Sequence, residues 1–307
     1  MKLVDAYYQL KPLIPRRIQI MVRRAMILRK RSGCRNVWPI DEKSGVTPPG
    51  WCGWPGGKKF ALVLTHDVDT AKGQVQCEQL MDLELRLGFR SSFNFVPERY
   101  AVSPELRSRL EANGFEVGVH GLLHDGNLFA SKEKFENEAV HINRYLKEWR
   151  AVGFRSPCMY HNLEWIADLD IEYDASTFDT DPFEPQPDGV GTIFPFTVTD
   201  GSRQRKYVEL PYTLPQDFTL FIMMKETTND VWKEKLSWIV DHGGMVLLNV
   251  HPDYMCFGGR KPRLEEYRAA LYEEFLSHIL TQYEGQYWHI VPKEIARFWA
   301  SAMSCRS

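Results

Sequence analysis

The stretch Phe60-Ala-Leu-Val-Leu-Thr-His-Asp-Val-Asp69 limits what this chain can fold into more than any other. Its apolar half reads as a buried strand, and Thr65 to Asp69 reads as the strand's polar end. In extended backbone, Asp67 and Asp69 point to the same face. Two carboxylates that close repel unless a cation or a shared proton relieves them. The pair therefore asks for a metal ion, and for further ligands elsewhere in the chain.

Those ligands follow downstream. Gly118-Val-His120-Gly-Leu-Leu-His124-Asp125 comes after a second short apolar segment, Phe115-Glu-Val-Gly-Val119. Two histidines four apart, just past a strand, converge on one ion if the loop takes a helical turn. Imidazole with carboxylate is an ordinary ligand set for zinc or a similar first-row divalent ion. One Asp and two His leave coordination positions open for water and substrate, as catalysis requires. One carboxylate is left over, and hydrolysis needs a base beside a metal.

From residue 60 onward, strand and helix patterns alternate. Strands are expected at 60–65, 90–96, 115–119, 152–155, 172–176, 207–210, 244–250 and 287–291. Helices are expected near 74–88, 103–113, 131–149, 229–242, 263–282 and 292–301. This rhythm predicts an α/β fold with a parallel sheet, either a barrel or a doubly wound sheet. Asp67 and Asp69 follow the first strand, His120 the third, Arg155 the fourth and His251 the seventh. Functional side chains gathered at C-terminal strand ends favour the barrel. Residues 177–206 interrupt the rhythm with Pro and Asp and read as a long loop with a hairpin.

The net charge of −2 implies no polyanionic partner, so nucleic acid is not expected. The charge is uneven, however. Residues 1–40 carry seven Arg and three Lys against one Asp, a basic arm on an acidic body. Residues 1–12 read as helical. Residues 16–31 predict a basic amphipathic helix, with Ile18, Met21, Val22, Ala25, Met26 and Leu28 on one arc. Ile20, Ile27 and Arg29 break that pattern. Such a helix can lie on an anionic membrane surface or pack its apolar arc on the body. Residues 32–59, rich in Gly, Pro and Trp, read as an ordered coil wrapping the body. The chain thus divides into an extension, 1–59, and a main domain, 60–303. Six cysteines without paired spacing suggest a reducing compartment. No apolar run approaches a membrane span, and the N-terminus lacks a signal-peptide core. A cytoplasmic location is expected, with peripheral contact at the inner membrane face as the arm's other option.

Three further constellations bear on chemistry. Arg155, in Gly153-Phe-Arg-Ser-Pro-Cys158, can orient a carboxylate with paired donors and lower its pKa. His251, ending Met245-Val-Leu-Leu-Asn-Val-His251, can act as general acid opposite a metal. The loop Asp179-Thr-Asp181-Pro-Phe-Glu184 clusters carboxylates that could meet Arg155, bind a sugar or cap a turn. Cys158 reads as an inert thiol, and His141, His242, His278 and His289 as structural.

These pieces, in this order, resemble the polysaccharide deacetylases, the NodB-homology family or family 4 carbohydrate esterases. The resemblance spans about residues 60–295. It rests on Thr65-His-Asp-Val-Asp69, His120-Gly-Leu-Leu-His124, Arg155-Ser-Pro-Cys158, the Asp179–Asp181 loop and Leu247-Leu-Asn-Val-His251. It implies a distorted (β/α)7-type barrel and a metal-dependent N-deacetylase acting on an amino sugar. By the same resemblance Asp67 is the catalytic base, and Asp69, His120 and His124 hold a divalent metal such as Zn. Arg155 tunes the base and His251 is the general acid. The Asp179–Asp181 loop matches more weakly, and Asp181, with Asp179 as the alternative, is read as a further catalytic residue. The usual pattern has adjacent aspartates after Thr-Phe; here His66 replaces the Phe and Val68 separates the carboxylates. Cys158 stands where an aromatic is common. Some members lack the metal and cleave ureide-type C–N bonds, and the intact His pair speaks against that reading.

Overall fold

β1 (Phe60–Val68) is buried along its whole length, and three other strands pair with it directly. The structure, a computed structural model, describes residues 16–199 and 206–304. α1 (Arg16–Arg31) precedes β1. After β1 come α2 (Ala71–Leu87), β2 (Ser92–Phe95), α3 (Pro104–Ala112), β3 (Glu116–His120), α4 (Lys132–Trp149) and β4 (Gly153–Arg155). Next are α5 (Leu163–Ile166), β5 (Tyr173–Asp174), β6 (Phe196–Thr199) and β7 (Lys206–Glu209). A π-helical turn (Phe218–Met223) leads to α6 (Asp230–His242) and β8 (Met245–Val250). The chain closes with β9 (Met255–Cys256), β10 (Tyr267–Arg268), α7 (Ala270–Gln282), β11 (Tyr287–His289) and α8 (Pro292–Ser304).

β1 pairs in parallel with β8 over Ala61–His66, with β2 over Thr65–Val68 and with β11 over Phe60–Leu62. Parallel pairing continues from β2 through β3, β4 and β5 to β7, and β6 adds antiparallel to β7. The segment after β7 returns to β8 through the parallel bridge Leu214↔Leu248. β1, β2, β3, β4, β5, β7 and β8 therefore go round a ring, with β11 beside the start of β1. This is the barrel, rather than the doubly wound sheet. Strands buried on both faces explain why the sequence shows apolar runs instead of alternation.

Every expected strand and helix of the main domain is present, and three expectations need correction. The helix expected over 263–282 begins only at Ala270. Before it, β10 pairs with β9. Glu266 holds this segment out of the helix by accepting from Arg260 Nη1 (2.6 Å) and from the backbone N–H of Arg263 (3.0 Å). The hairpin expected within 177–206 forms as the β6–β7 pair but runs on to Glu209; its connection and the helix expected over 1–12 lie outside the described residues. The basic helix forms, but its apolar arc does not face the body. Ile20, which breaks the arc, is the buried residue, while Ile18, Met21, Met26 and Leu28 are exposed. Arg23 and Arg24 turn inward because the body offers them partners. Arg24 donates to the carbonyls of Ile222 (2.8 Å) and Leu264 (3.1 Å), and Arg23 lies over the Phe218 ring at 5.3 Å.

In the coil before β1, the Trp54 indole donates to the Gly243 carbonyl (2.8 Å), and Trp51 packs on Trp299 at 4.8 Å. Trp232 anchors α6 in the core. It is fully buried, donates to the Pro215 carbonyl (2.7 Å) and packs between Phe221 and Phe275. Trp232→Ala is expected to cost about 3–5 kcal/mol in urea unfolding. Val75→Ala, at a position 74% exposed, should stay within about 0.5 kcal/mol.

Candidate active site

Alternation along β1 sends His66 to one face and Thr65 and Asp67 to the other. His66 meets Glu84 of α2, with Nε2 2.7 Å from Oε1. Asp67 enters the ring. There Asn94 of β2 donates to its Oδ1 (2.9 Å) and Asn249 of β8 donates to its Oδ2 (2.8 Å). Arg155, fully buried at the end of β4, sets Nη1 3.6 Å from Asp67 Oδ2. Burial pushes the Asp67 carboxyl up, but His120, Arg155, His251 and the Asn94 amide outweigh it and bring it down to about 2. Asp67 is thus an ionised carboxylate in a buried setting.

Asp69 lies in the turn between β1 and α2. Its N–H donates to Asp253 Oδ2 (3.0 Å), and the Thr70 hydroxyl donates to the same carboxylate. Gly73 makes room for that brace, since a Cβ there would lie 2.0 Å from Asp253 Oδ2. His120 ends β3. Its Nδ1 lies 3.0 Å from the Arg155 carbonyl, which leaves Nε2 to face Asp69. Gly121 turns the chain at φ +61, where a Cβ would also meet Pro157 Cγ at 2.4 Å. His124 reaches in from φ 57, a left-handed position few non-glycine residues adopt. The outcome is convergence: Asp69 Oδ1 is 3.4 Å from His120 Nε2 and 3.1 Å from His124 Nε2.

The donor set fits a divalent cation. One ligand atom from each of the three residues lies within 4.8 Å of the others. Asp69 Oδ1 is buried and accepts no well-aligned hydrogen bond among the described residues, although both imidazoles crowd it. Ligands facing a common ion are arranged this way. Burial pushes the Asp69 carboxyl up, and His124 and His120 hold it well below the usual range. His120 has the outer hydrogen bond that fixes a ligand's tautomer.

His251 follows β8. Its N–H donates to Asp217 Oδ2 (2.8 Å), and its Nδ1 lies 2.7 Å from Asp217 Oδ1. Nε2 is left 4.0 Å from Asp67 Oδ2. Burial pushes the imidazole down, but Asp217, Asp69 and Asp67 raise it to about 10. The Tyr254 hydroxyl completes this wall at 3.4 Å from Asp69 Oδ2.

The structure therefore brings together Asp67, Asp69, His120, His124, Arg155 and His251. Asp181 stands apart, buried and paired with half-buried Glu184, and the two share the Tyr212 hydroxyl at 3.0 and 2.9 Å. Burial raises Asp181 to about 6 and Glu184 to about 8, so the pair retains a proton near neutrality. Gln216 and Asn249 link Glu184 to Asp67 through a hydrogen-bond chain. Asp179 instead pairs with buried Lys235 at 2.8 Å. Asp217, Asn94, Asn249 and Asp253 are site residues that the sequence analysis does not single out. Only Asn249 and Asp253 carried a signal, by their places beside His251.

His251 supplies a test in metal-free protein. A raised folded pKa contributes stability that is complete below about 6.5 and is lost as pH rises through about 10. NMR titration should find His251 protonated well above neutrality and titrating markedly lower in Asp217→Asn. A wild-type midpoint near 6.5 would contradict the Asp217 pairing.

No protein-family model matches the chain, and no curated protein matches it. Solved structures do. One is a crystal structure from Mycobacterium smegmatis designated a polysaccharide deacetylase. It has TM-score 0.66 and 20% identity, covering 84% of this chain and 96% of that chain. Puue allantoinase gives TM-score 0.63 and 16% identity, covering 86% of this chain and 98% of that one. A Pseudomonas aeruginosa PAO1 protein designated a polysaccharide deacetylase gives TM-score 0.63, 16% identity and coverages of 86% and 98%. The chain has the polysaccharide deacetylase fold, the distorted barrel that its motifs imply.

Proposed function

We propose that the chain is a metal-dependent deacetylase of the polysaccharide deacetylase family, hydrolysing the acyl amide of an amino sugar. One observation carries the reading. An ionised carboxylate, Asp67, lies beside an Asp–His–His triad, with His251 Nε2 and His120 Nε2 each 4.0 Å from its Oδ2. Base, ligand set and acid meet within one side-chain length.

Asp69, His120 and His124 are the residues that would hold the cation. When bound, a divalent ion, with zinc suited to this donor set, supplies Lewis-acid polarisation of the amide carbonyl and a more acidic water. Asp67 takes the proton of the attacking water as the new C–O bond forms. Asn94, Asn249 and Arg155 hold its two oxygens in one orientation, so no reorganisation accompanies the transfer. His251 delivers a proton from Nε2 to the amine nitrogen as the C–N bond breaks. An amine leaves poorly unless protonated, so this donor has to be charged at working pH. Asp217 keeps it charged and oriented through Nδ1. The Asp181–Glu184 pair joins this set through Gln216 and Asn249, and its role is orientation of Asn249 rather than contact with the reacting atoms.

An allantoinase with this fold makes a ureide substrate the second reading. The intact triad favours the deacetylase, and substrate screening separates the two. Cys34, Cys77 and Cys256 are free thiols, which suits a reducing compartment. No helix among the described residues is long and apolar enough to cross a membrane.

The test is release of free amine and carboxylate from N-acyl amino sugars by metal-loaded protein. Chelation should abolish turnover and reloading should restore it. Asp67→Asn should lower kcat by about 10²–10⁴ while retaining metal, and His120→Ala should lose both. Full turnover after metal stripping, or in His120→Ala, would remove the metal-dependent reading.

A further inference from the structure

α1 offers solvent a stripe that the body does not use. Ile18, Met21 and Leu28 are 49, 63 and 50% exposed. Ala25, also exposed, lies between the last two. Steps of three, four and three residues put all four on one helical face. Exposed Arg17 and Arg29 stand on either side of it. At the C-terminal end of the helix, the stripe runs into a cleft of about 430 Å³ lined by Leu28, Arg31, Ser32, Arg35, Trp38 and Pro39. Arg31 lies over the Trp38 ring at 5.4 Å. An apolar stripe between cations, continuous with a cleft lined by exposed Arg35 and by Arg31, which also pairs with Glu226, complements an amphiphile with an anionic head.

The other side of α1 borders the candidate active site. Arg23 lies over Phe218 at 5.3 Å, Phe218 packs on Tyr254 at 5.0 Å, and Tyr254 approaches Asp69 at 3.4 Å. Lys30 donates to the Pro182 carbonyl, in the loop that carries Asp181 and Glu184. The solvent-facing stripe and the triad are thus joined by a short succession of packed side chains.

We propose that α1 is a membrane-docking helix. It lies in the headgroup region of an anionic bilayer through Ile18, Met21, Ala25 and Leu28, and the adjoining cleft takes an anionic lipid headgroup. Docking rests on the geometry and charge of α1 alone. Joined to the hydrolase reading, on which this clause depends, it narrows the substrate class to an amino sugar carried on a lipid phosphate.

Flotation of the full chain with vesicles of phosphatidylcholine, with and without phosphatidylglycerol, tests the proposal. The protein should float with the phosphatidylglycerol vesicles and release as salt is raised. Met21→Asp and Leu28→Asp should each lower binding about tenfold or more. Arg29→Glu should lower it at least roughly fivefold. Circular dichroism and turnover of a soluble N-acetyl sugar should be unchanged in all three variants. Absence of flotation by the wild type would overturn docking, as would flotation insensitive to all three variants. Self-association that is abolished by Met21→Asp would assign the stripe to a second copy and overturn it too. Flotation needs no turnover, so the two readings fail separately. A protein that floats yet releases no amine from either soluble or vesicle-borne N-acyl amino sugars removes the hydrolase, and an active protein that does not float removes docking.

Discussion

Two carboxylates buried at the end of one strand are the constraint from which the rest of the barrel interior follows. Asp67 and Asp69 are 2% and 7% exposed, and burial alone would push both toward the neutral form. The chain keeps them ionised by unequal means. Asp67 receives two amide donors and a permanent cation from strands β2, β8 and β4. Its oxygens are committed to fixed protein dipoles. Asp69 receives the two imidazoles at Oδ1, without a well-formed hydrogen bond, and a long contact from the Tyr254 hydroxyl at Oδ2. That asymmetry separates a carboxylate suited to proton transfer from one suited to coordination.

The barrel also couples the pieces mechanically. His251, Asp253 and Tyr254 are close neighbours on one loop after β8, and each reaches a different partner. His251 is clamped by Asp217, Asp253 holds the N–H of Asp69, and Tyr254 approaches the Asp69 carboxylate. A shift of this loop would therefore disturb the proposed acid and the proposed ligand together. Parallel strands make such convergence economical, because every C-terminal end opens on the same rim. Gly73 and Gly121 are the backbone's concessions to it, each lying where a side chain would strike Asp253 or Pro157.

Much of this was legible before any coordinates. The apolar run ending in Thr65-His-Asp-Val-Asp69 marks a buried strand and its polar rim, and His120 with His124 follows another. Local patterns of that kind survive folding because the residues that express them are adjacent in the chain. Asp217 illustrates what was not legible. It sits 34 residues before His251, as the N-cap of a π-helical turn with no distinctive periodicity, and only closure of the ring between Leu214 and Leu248 brings the two together. Asn94 reads as an ordinary strand residue until Asp67 lies opposite it in register. The orientation of α1 was hidden for another reason. A helical wheel ranks faces by polarity, and here backbone carbonyls of Ile222 and Leu264 drew Arg24 inward against that ranking.

In the proposed mechanism Asp69, His120 and His124 share one cation while Asp67 remains outside its coordination. Anomalous diffraction from crystals grown with a transition metal tests this most directly. One peak is predicted about 2.0–2.2 Å from Asp69 Oδ1 and from Nε2 of both histidines, with both Asp67 oxygens still on Asn94 and Asn249. A peak bonded to Asp67 in place of Asp69, or loaded protein with no peak at the triad, would contradict it.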